Sequence, residues 1–364
     1  MRIARWVSCS LLLLLVGTLT AGAADKWGLE KASVELQSAG PLAFGPDGIL
    51  LVGDPKAATV FGIATGDTEG TPSKVELHVE ALNEQAAKVI GAGSVQIVDL
   101  AVNPASGNIY LSVTADEKPA LLKLDGRGNI SAVTLKDVPS FSSVLPDAPE
   151  NPVVGQGRRA GNRRMESITD LAFVDGKVIV SGLTSAENPS AVRELVFPFK
   201  KADKGTNVVI FHGAHGREEN NSTVRVFVPF TVGGEPSLLA GFTCTPLVKF
   251  PLAGLAPGEH LKGQTVAELR NRIRPLDMIV YEQGGATFLL IANSARGVMK
   301  VSTANIESQK PITEPVGGGT AGLEYETIEG LQGVVQLDKL NDTHAVVLVQ
   351  TESGAQNLKT VALP

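Results

Sequence analysis

Apolar runs in this chain come in pairs, and a small or polar corner joins the two runs of each pair. In the stretch SLLAGFTCTPLVKFPL, for example, the run from Leu238 and the run from Pro246 flank Thr243 and Cys244. Six such pairs begin at Ile49, Ile109, Val178, Leu238, Phe288 and Ala345. Their corners recur about every 50 to 70 residues, which indicates a repeat protein built from antiparallel strands.

A further apolar run precedes each pair and ends in a hairpin signal such as Asp47-Gly48 or Gly284-Gly285. Glycine at these positions supplies the positive φ that tight hairpins require. Each unit is therefore predicted to contain strand A, a hairpin, strand B, a corner and strand C. Weaker fourth strands are predicted in KVELHV from Lys74 and NVVIFH from Asn207. One helix is predicted in EALNEQAAKVIGAG from Glu80, between the first two units.

These units predict an all-β fold, a six-bladed β-propeller. The sixth unit ends at strand C, so an N-terminal strand, ASVELQ from Ala32, is expected to complete the last blade and close the ring. A closed ring leaves few exposed sheet edges. The alternative is a β-sandwich or an all-β protein without repeats.

The segment LAFGPDGILLVGD, Leu42 to Asp54, resembles the blades of NHL-type and SMP-30/gluconolactonase-like propellers. The resemblance is to blade architecture. In the lactonase-like family a divalent metal lies in the central channel, held by acidic and amide side chains. The resemblance therefore implies a possible divalent site, for which Ca²⁺ is a candidate. Residues of the right types are Glu166, Asp54, Asn103 and Asn293.

Propeller geometry places the six B–C corners and the connections between blades on one face. The connection FHGAHGREENNSTVRVF carries His212 and His215, and Cys244 lies on the next corner of that face. Two imidazoles and a thiolate suit zinc or copper. Two alternatives remain open: a purely structural role, with Cys244 as a small buried residue, and a thiol-centred catalytic role.

The same face is predicted to be basic. GQGRRAGNRRMESITD contributes Arg158, Arg159, Arg163 and Arg164, and ELRNRIRPLD contributes Arg270, Arg272 and Arg274. Arg217 and Arg296 are expected on this face as well, with Asp54 and Asn293 at neighbouring corners. Guanidinium groups bind carboxylates and phosphates in a bidentate manner. The pattern favours an anionic small molecule or an acidic protein partner, and the alternative is a solvated loop.

The composition of the chain bears on where the protein is located and on the classes of partner it can bind. Residues 1–23 have the pattern of a cleavable signal peptide, with Arg2 and Arg5 before an apolar run and Ala21-Gly22-Ala23 at its end. Residues 24–364 are expected to form a single propeller domain, exported to a periplasm or secreted. The net charge of −6 argues against nucleic-acid binding. No later segment has the length and apolarity of a membrane span, and a monomer is expected.

Two functions from different classes fit these patterns. The first is an exported binding module for an anionic ligand or protein partner at a basic channel mouth. The second is a metal-dependent hydrolase, lactonase-like, that uses His212, His215 and Cys244 or the channel carboxylates. The sequence has no Cys-x-x-Cys-His, Gly-x-Ser-x-Gly, P-loop or His-Glu-x-x-His motif.

Overall fold

The computed structural model describes residues 22–156, 160–244, 246–318 and 320–364. Within these ranges the chain forms six antiparallel sheets whose innermost strands surround a central channel. The predicted six-bladed β-propeller is confirmed. The blades are numbered here by the chain order of their innermost strands. The predicted signal segment falls mostly on residues 1–21, which lie outside the described residues.

Blades 1 to 3 are formed by the following strands. Blade 1 contains β2 (Leu42–Phe44), β3 (Ile49–Asp54), β4 (Thr59–Ala64) and β10 (Val138–Val144), with β1 (Glu30–Ala32) outside β10. Blade 2 contains β6 (Val95–Val102), β7 (Ile109–Ala115), β8 (Lys118–Leu124) and β9 (Ile130–Ala132). Blade 3 contains β13 (Asp170–Val174), β14 (Lys177–Leu183), β15 (Ser190–Val196), β16 (Thr206–His212) and β17 (Arg217–Glu219), and β21 (His260–Lys262) pairs with β16.

Blades 4 to 6 complete the ring. Blade 4 contains β18 (Val224–Val232), β19 (Glu235–Phe242), β20 (Pro246–Pro251), β22 (Gln264–Leu269) and β26 (Thr320–Gly322). Blade 5 contains β23 (Pro275–Gln283), β24 (Ala286–Asn293), β25 (Gly297–Ser302) and β27 (Tyr325–Ile328). Blade 6 contains β28 (Val334–Lys339), β29 (His344–Gln350), β30 (Gln356–Ala362) and β5 (His78–Val79). A separate hairpin joins β11 (Val153–Val154) to β12 (Gly161–Asn162).

The ring is closed by a different strand from the one predicted. The segment at Lys74 was expected to complete unit one, but His78–Val79 pairs with β30 and completes blade 6. Glu30–Ala32, at the start of the segment predicted to close the ring, pairs instead with β10 outside blade 1. The outer strand of blade 1, β10, comes from the chain that follows blade 2. The strands that complete blades 6 and 1 therefore come from outside their own units, as do β21 beside blade 3 and β26 at the edge of blade 4.

This exchange changes the order of the blades in space. The inner strand β2 contacts β6 on one side and β13 on the other, while β6 also contacts β28. Blade 1 therefore lies between blades 2 and 3, and blade 2 lies between blades 1 and 6. From blade 3 to blade 6 the order in space follows the sequence.

The predicted inserted helix is present as α2 (Leu82–Ile90), and a short helix α1 (Ala23–Trp27) precedes the first strand. Leu82, Ala86 and Ala87 of α2 are buried in a core cluster shared by strands of blades 2 and 6. The helix thus covers the junction that β5 closes. Neither described helix combines the length and apolar character needed to cross a bilayer.

Four half-buried aspartates link inner strands around the channel. Each accepts a backbone N–H from the adjacent blade: Asp99 from Leu42 at 2.7 Å, Asp170 from Phe227 at 2.7 Å, Asp277 from Leu337 at 2.8 Å, and Asp338 from Val102 at 2.7 Å. All four bonds run in the same direction around the ring. The aspartates therefore set the spacing between adjacent blades.

Burial raises the pKa of every carboxyl in this ring, because the channel interior solvates a charge poorly. The pKa of Asp170 is raised to about 7 and that of Asp338 to about 6. Burial raises the pKa of Asp277 well above its ordinary range, and the charge of Asp99 adds to this effect. Burial likewise raises the pKa of Asp99.

We expect Asp170→Asn to flatten the pH dependence of stability. The folded protein holds the Asp170 proton more tightly than the unfolded chain does, so this group loses stabilising free energy as the pH rises from about 4 to about 7. Between pH 5 and pH 8 the loss is on the order of 2 kcal/mol, and the amide cannot ionise. Urea unfolding at both pH values measures the difference. Asp175→Asn, at an exposed turn of the same blade, is the control. Equal pH slopes for wild type and Asp170→Asn would contradict this account.

Candidate metal centre

A tight turn at the end of β16 brings His212 and His215 together. The N–H groups of His215 and Gly216 both donate to the His212 carbonyl, at 3.1 and 2.8 Å. Gly216 has a φ of +64°, which a glycine adopts without strain. The chain then returns as β17, antiparallel to the end of β16. As a result the two imidazole rings lie side by side, with centroids 3.8 Å apart and planes 37° apart.

Glu219, at the end of β17, holds both rings. Its carboxylate is 2.9 Å from His212 Nδ1 and 2.7 Å from His215 Nδ1, and it also accepts from Ser222. Burial by itself raises the pKa of Glu219, but the hydrogen bonds from Ser222, His212 and His215 outweigh burial and lower the pKa to about 2. An ionised carboxylate only accepts, so both Nδ1 atoms must donate. Each neutral ring then carries its lone pair on Nε2.

The environment of His212 leaves its Nε2 lone pair available to a ligand. Its side chain is 1% exposed, and burial lowers its pKa, so the ring is neutral near pH 7. Among the described residues its Nε2 atom has no hydrogen-bond partner. A buried nitrogen without a partner costs free energy, and a ligand or metal at this position would remove that cost.

Cys244 completes the cluster. It follows β19 at the corner between the second and third strands of blade 4, with a φ of +64°, and its N–H donates to the Ile273 carbonyl at 2.8 Å. The thiol is half-buried. One ligand atom each from His212, His215 and Cys244 lies within 4.8 Å of the others, and the described residues contain no other such group of three. The predicted juxtaposition of the three residues is therefore present.

Glu268, on β22, supports the histidine turn from blade 4. Its Oε1 accepts the N–H of Gly213 at 2.5 Å and that of Ala214 at 3.3 Å, while its buried Oε2 has no partner among the described residues. Burial raises the pKa of Glu268 to about 7. A Cβ atom at position 213 would lie 2.9 Å from Glu268 Oε1, so glycine is required for this approach. Glu268 was not among the site residues predicted from the sequence, because no sequence motif connects it to a turn that lies 55 positions earlier.

The channel site implied by the family resemblance is not assembled. Glu166 forms an ion pair with Arg225 at 2.8 Å and accepts from Thr223. Asp54 is buried and accepts from Ala57 at its own corner and from Gln37 and Ser38 in the segment before β2.

Asn293 likewise bonds to the residues of its own corner, accepting from Ala295 and Arg296 and donating to the Gly297 carbonyl. Asn103 lies beside the hairpin between β6 and β7, on the opposite face from the corners. Local turn geometry therefore holds these polar side chains apart, and they do not converge on one ion.

The predicted arginines have different environments. Arg158 and Arg159 lie outside the described residues. Arg163 is exposed, whereas Arg164 donates to the carbonyls of Lys56, Pro149 and Ala57 at 2.9 to 3.1 Å. Arg296 is half-buried, and its Nε has no partner among the described residues. Backbone carbonyls therefore occupy the guanidinium of Arg164, and it is not presented to a ligand.

A cavity of about 450 Å³ forms the channel mouth on the face of the corners. Its charged rim residues are Glu166, Arg225 and Arg274. Of the two arginines, only Arg274 was among those that the sequence predicted for the basic face. A second cavity of about 410 Å³ opens from the other side. Both are lined by Asp99, Asp170 and Asp277, so these carboxyls separate the two cavities.

Comparison with known proteins finds only distant similarity to solved structures. No protein-family profile and no curated protein sequence matches the chain significantly. Drosophila semaphorin 1b, extracellular domains 1–2, is similar with a TM-score of 0.41 and 11% identity, covering 92% of this chain and 88% of that one.

Two further solved structures show the same degree of similarity. The PQQ-bound aldose sugar dehydrogenase of Streptomyces coelicolor has a TM-score of 0.33 and 11% identity, over 91% of this chain and 95% of that one. The C-terminal WD40 domain of Sif2 has a TM-score of 0.37 and 12% identity, over 92% and 99%. Such similarity is too distant to transfer an activity.

We expect Glu268→Ala and Glu268→Gln to behave differently. Alanine leaves the Gly213 and Ala214 N–H groups without an acceptor, which costs about 1 to 3 kcal/mol. Glutamine retains an acceptor oxygen and removes a carboxyl that is costly to ionise when buried. In urea unfolding at pH 8, Glu268→Gln should therefore be close to wild type and Glu268→Ala clearly less stable. Equal destabilisation by both substitutions would show that the turn does not depend on this acceptor.

Proposed function

We propose that this propeller binds a Zn²⁺ or copper ion through His212, His215 and Cys244. One observation carries the proposal: Glu219 takes the Nδ1 of both histidines and so leaves both Nε2 lone pairs available beside a thiol. A carboxylate that orients a histidine through its other nitrogen is the usual arrangement behind a metal ligand. Imidazole and thiolate suit Zn²⁺ and copper, whereas Ca²⁺ requires oxygen ligands.

The ligand count also favours a reactive site over a purely structural one. Structural zinc sites have four protein ligands, and catalytic zinc sites have three and leave one position for water. The His215 side chain is 43% exposed and the thiol is half-buried, so a small molecule has access to the centre. We therefore extend the proposal to a metal-dependent hydrolase.

We further propose that the protein is exported, on the strength of the signal-like pattern in residues 1–23. A periplasmic or secreted location would keep the half-buried Cys244 under oxidising conditions, and metal binding would protect the thiolate there. Cleavage after Ala23 would make Ala24 the first residue of the mature protein. N-terminal sequencing of protein secreted by its host tests this, and an intact Met1 would contradict export by cleavage.

We expect purified protein to bind about one equivalent of Zn²⁺ or copper. Replacing one ligand by His212→Ala, His215→Ala or Cys244→Ser should weaken metal binding at least about a hundredfold, because a two-ligand site does not hold these ions tightly. Competition titration against a chromophoric chelator, together with elemental analysis, gives the stoichiometry and affinity. Wild-type protein that takes up neither ion would contradict the proposal.

Two further variants separate metal binding from general effects on folding. His260→Ala removes an exposed histidine of β21, the strand beside β16, and should leave the affinity unchanged. Glu219→Gln should weaken binding about 10- to 100-fold, because an amide cannot accept from both imidazoles. If Glu219→Gln bound metal like the wild type, the orienting role assigned to Glu219 would be wrong.

A further inference from the structure

The channel mouth contains an exposed guanidinium, that of Arg274. Among the described residues, the Arg274 side chain has no hydrogen-bond or ion-pair partner, although it lines the cavity beside Arg225 and Glu166. Arg225 is occupied by Glu166 at 2.8 Å and by Thr243 Oγ1 at 3.2 Å. The rim therefore holds two guanidinium groups and one carboxylate, and that carboxylate pairs with Arg225.

This arrangement is unfavourable without a ligand. Burial lowers the pKa of Arg274, and the neighbouring charge of Arg225 lowers it further. Two neighbouring guanidinium groups repel each other, and an anion bound between them would reduce this repulsion. Groups with such perturbed ionisation are found preferentially at functional sites.

The carboxyls of the channel do not cancel this positive charge. Burial raises the pKa values of Asp99 and Asp277 well above the ordinary range, which disfavours their ionised forms. Asp170 has a pKa of about 7 and is only partly ionised near neutral pH. An incoming anion therefore meets two arginines at the rim and, below them, carboxyls whose ionisation burial opposes.

The walls of the cavity favour an organic ligand over an inorganic ion. Apolar side chains line the mouth between the rim and the aspartates, among them Pro55, Val98, Ile168, Val226 and Leu276. A volume of about 450 Å³ is within the range of small-molecule sites. A carbon skeleton could cover this surface while its charged end remains at the rim.

We propose that the channel mouth binds a small organic carboxylate, with the anionic group at Arg274 and Arg225 and the carbon body against the apolar wall. This site does not depend on the metal proposed above, since none of the three metal ligands lines the cavity. The proposal keeps the anionic ligand that the sequence predicted, but it assigns recognition of that ligand to Arg225 and Arg274 at the channel mouth. The arginines of the outer connection, such as the exposed Arg163, are not required.

The test uses the full chain, with acetate, succinate, citrate and benzoate as probes at constant ionic strength and pH 6.5. At least one carboxylate should raise the melting temperature and bind with a measurable Kd by calorimetry. Succinamide, the neutral analogue of succinate, should have no effect. Inorganic phosphate should bind more weakly than the best carboxylate. Failure of all four carboxylates, or phosphate binding as tight as theirs, would overturn the proposal.

Two variants locate the site. Arg274→Gln should weaken carboxylate binding at least about tenfold while leaving the ligand-free protein as stable as the wild type or more so, because an unfavourable charge is removed. Arg163→Gln, an exposed arginine of the same face outside the cavity, should bind like the wild type. Loss of binding in Arg163→Gln with retention in Arg274→Gln would place the anion on the outer loop and overturn the assignment.

Discussion

Leu77 and Thr360 are 283 positions apart in the sequence, yet they exchange hydrogen bonds where β5 lies on β30. This contact closes the ring, and the rest of the architecture depends on it. Because the chain leaves blade 1 after β4 to supply β5, blade 2 must form next to blade 6. The chain must then return with β10 to complete blade 1. Closure by an internal strand thus explains both the exchange of outer strands and the altered blade order.

The cluster of His212, His215 and Cys244 depends on a part of the ring that this exchange does not affect. Blades 3 and 4 are consecutive both in the sequence and in space. Only the first residues of β16 pair with β15, while its last residues pair with β17, so the histidine turn extends beyond its own blade. There β22 lies against it, with Thr265 donating to the Phe211 carbonyl at 2.6 Å and Glu268 binding the turn. The site is therefore formed at a junction between two neighbouring blades.

The ring closure and the blade junction explain which features of the fold and of the candidate site could be predicted from the sequence. Strand period and hairpin glycines are local, so the six units and α2 were found correctly. The shared face of the corners follows from propeller geometry, which is why His212, His215 and Cys244 could be brought together. Strand exchange could not be predicted, because β5 has the same apolar pattern whether it pairs with β4 or with β30. Asp54 and Asn293 were placed on the correct face, but their oxygen atoms accept hydrogen bonds from their own corners and, for Asp54, from Gln37 and Ser38, and residue type alone cannot reveal that.

Polar groups at the channel and on the face of the corners fall into two kinds, and the difference is informative about function. The channel aspartates are half-buried, and each accepts a backbone N–H from the next blade, so their position is explained by the architecture. The buried His212 Nε2 and the exposed Arg274 guanidinium have no such partners within the described chain. Evolution can tolerate such costs where a ligand offsets them, since stability need only exceed a threshold. Both groups lie on the face of the corners, where the inter-blade connections leave access from solvent, and that is where bound ligands would supply the missing partners.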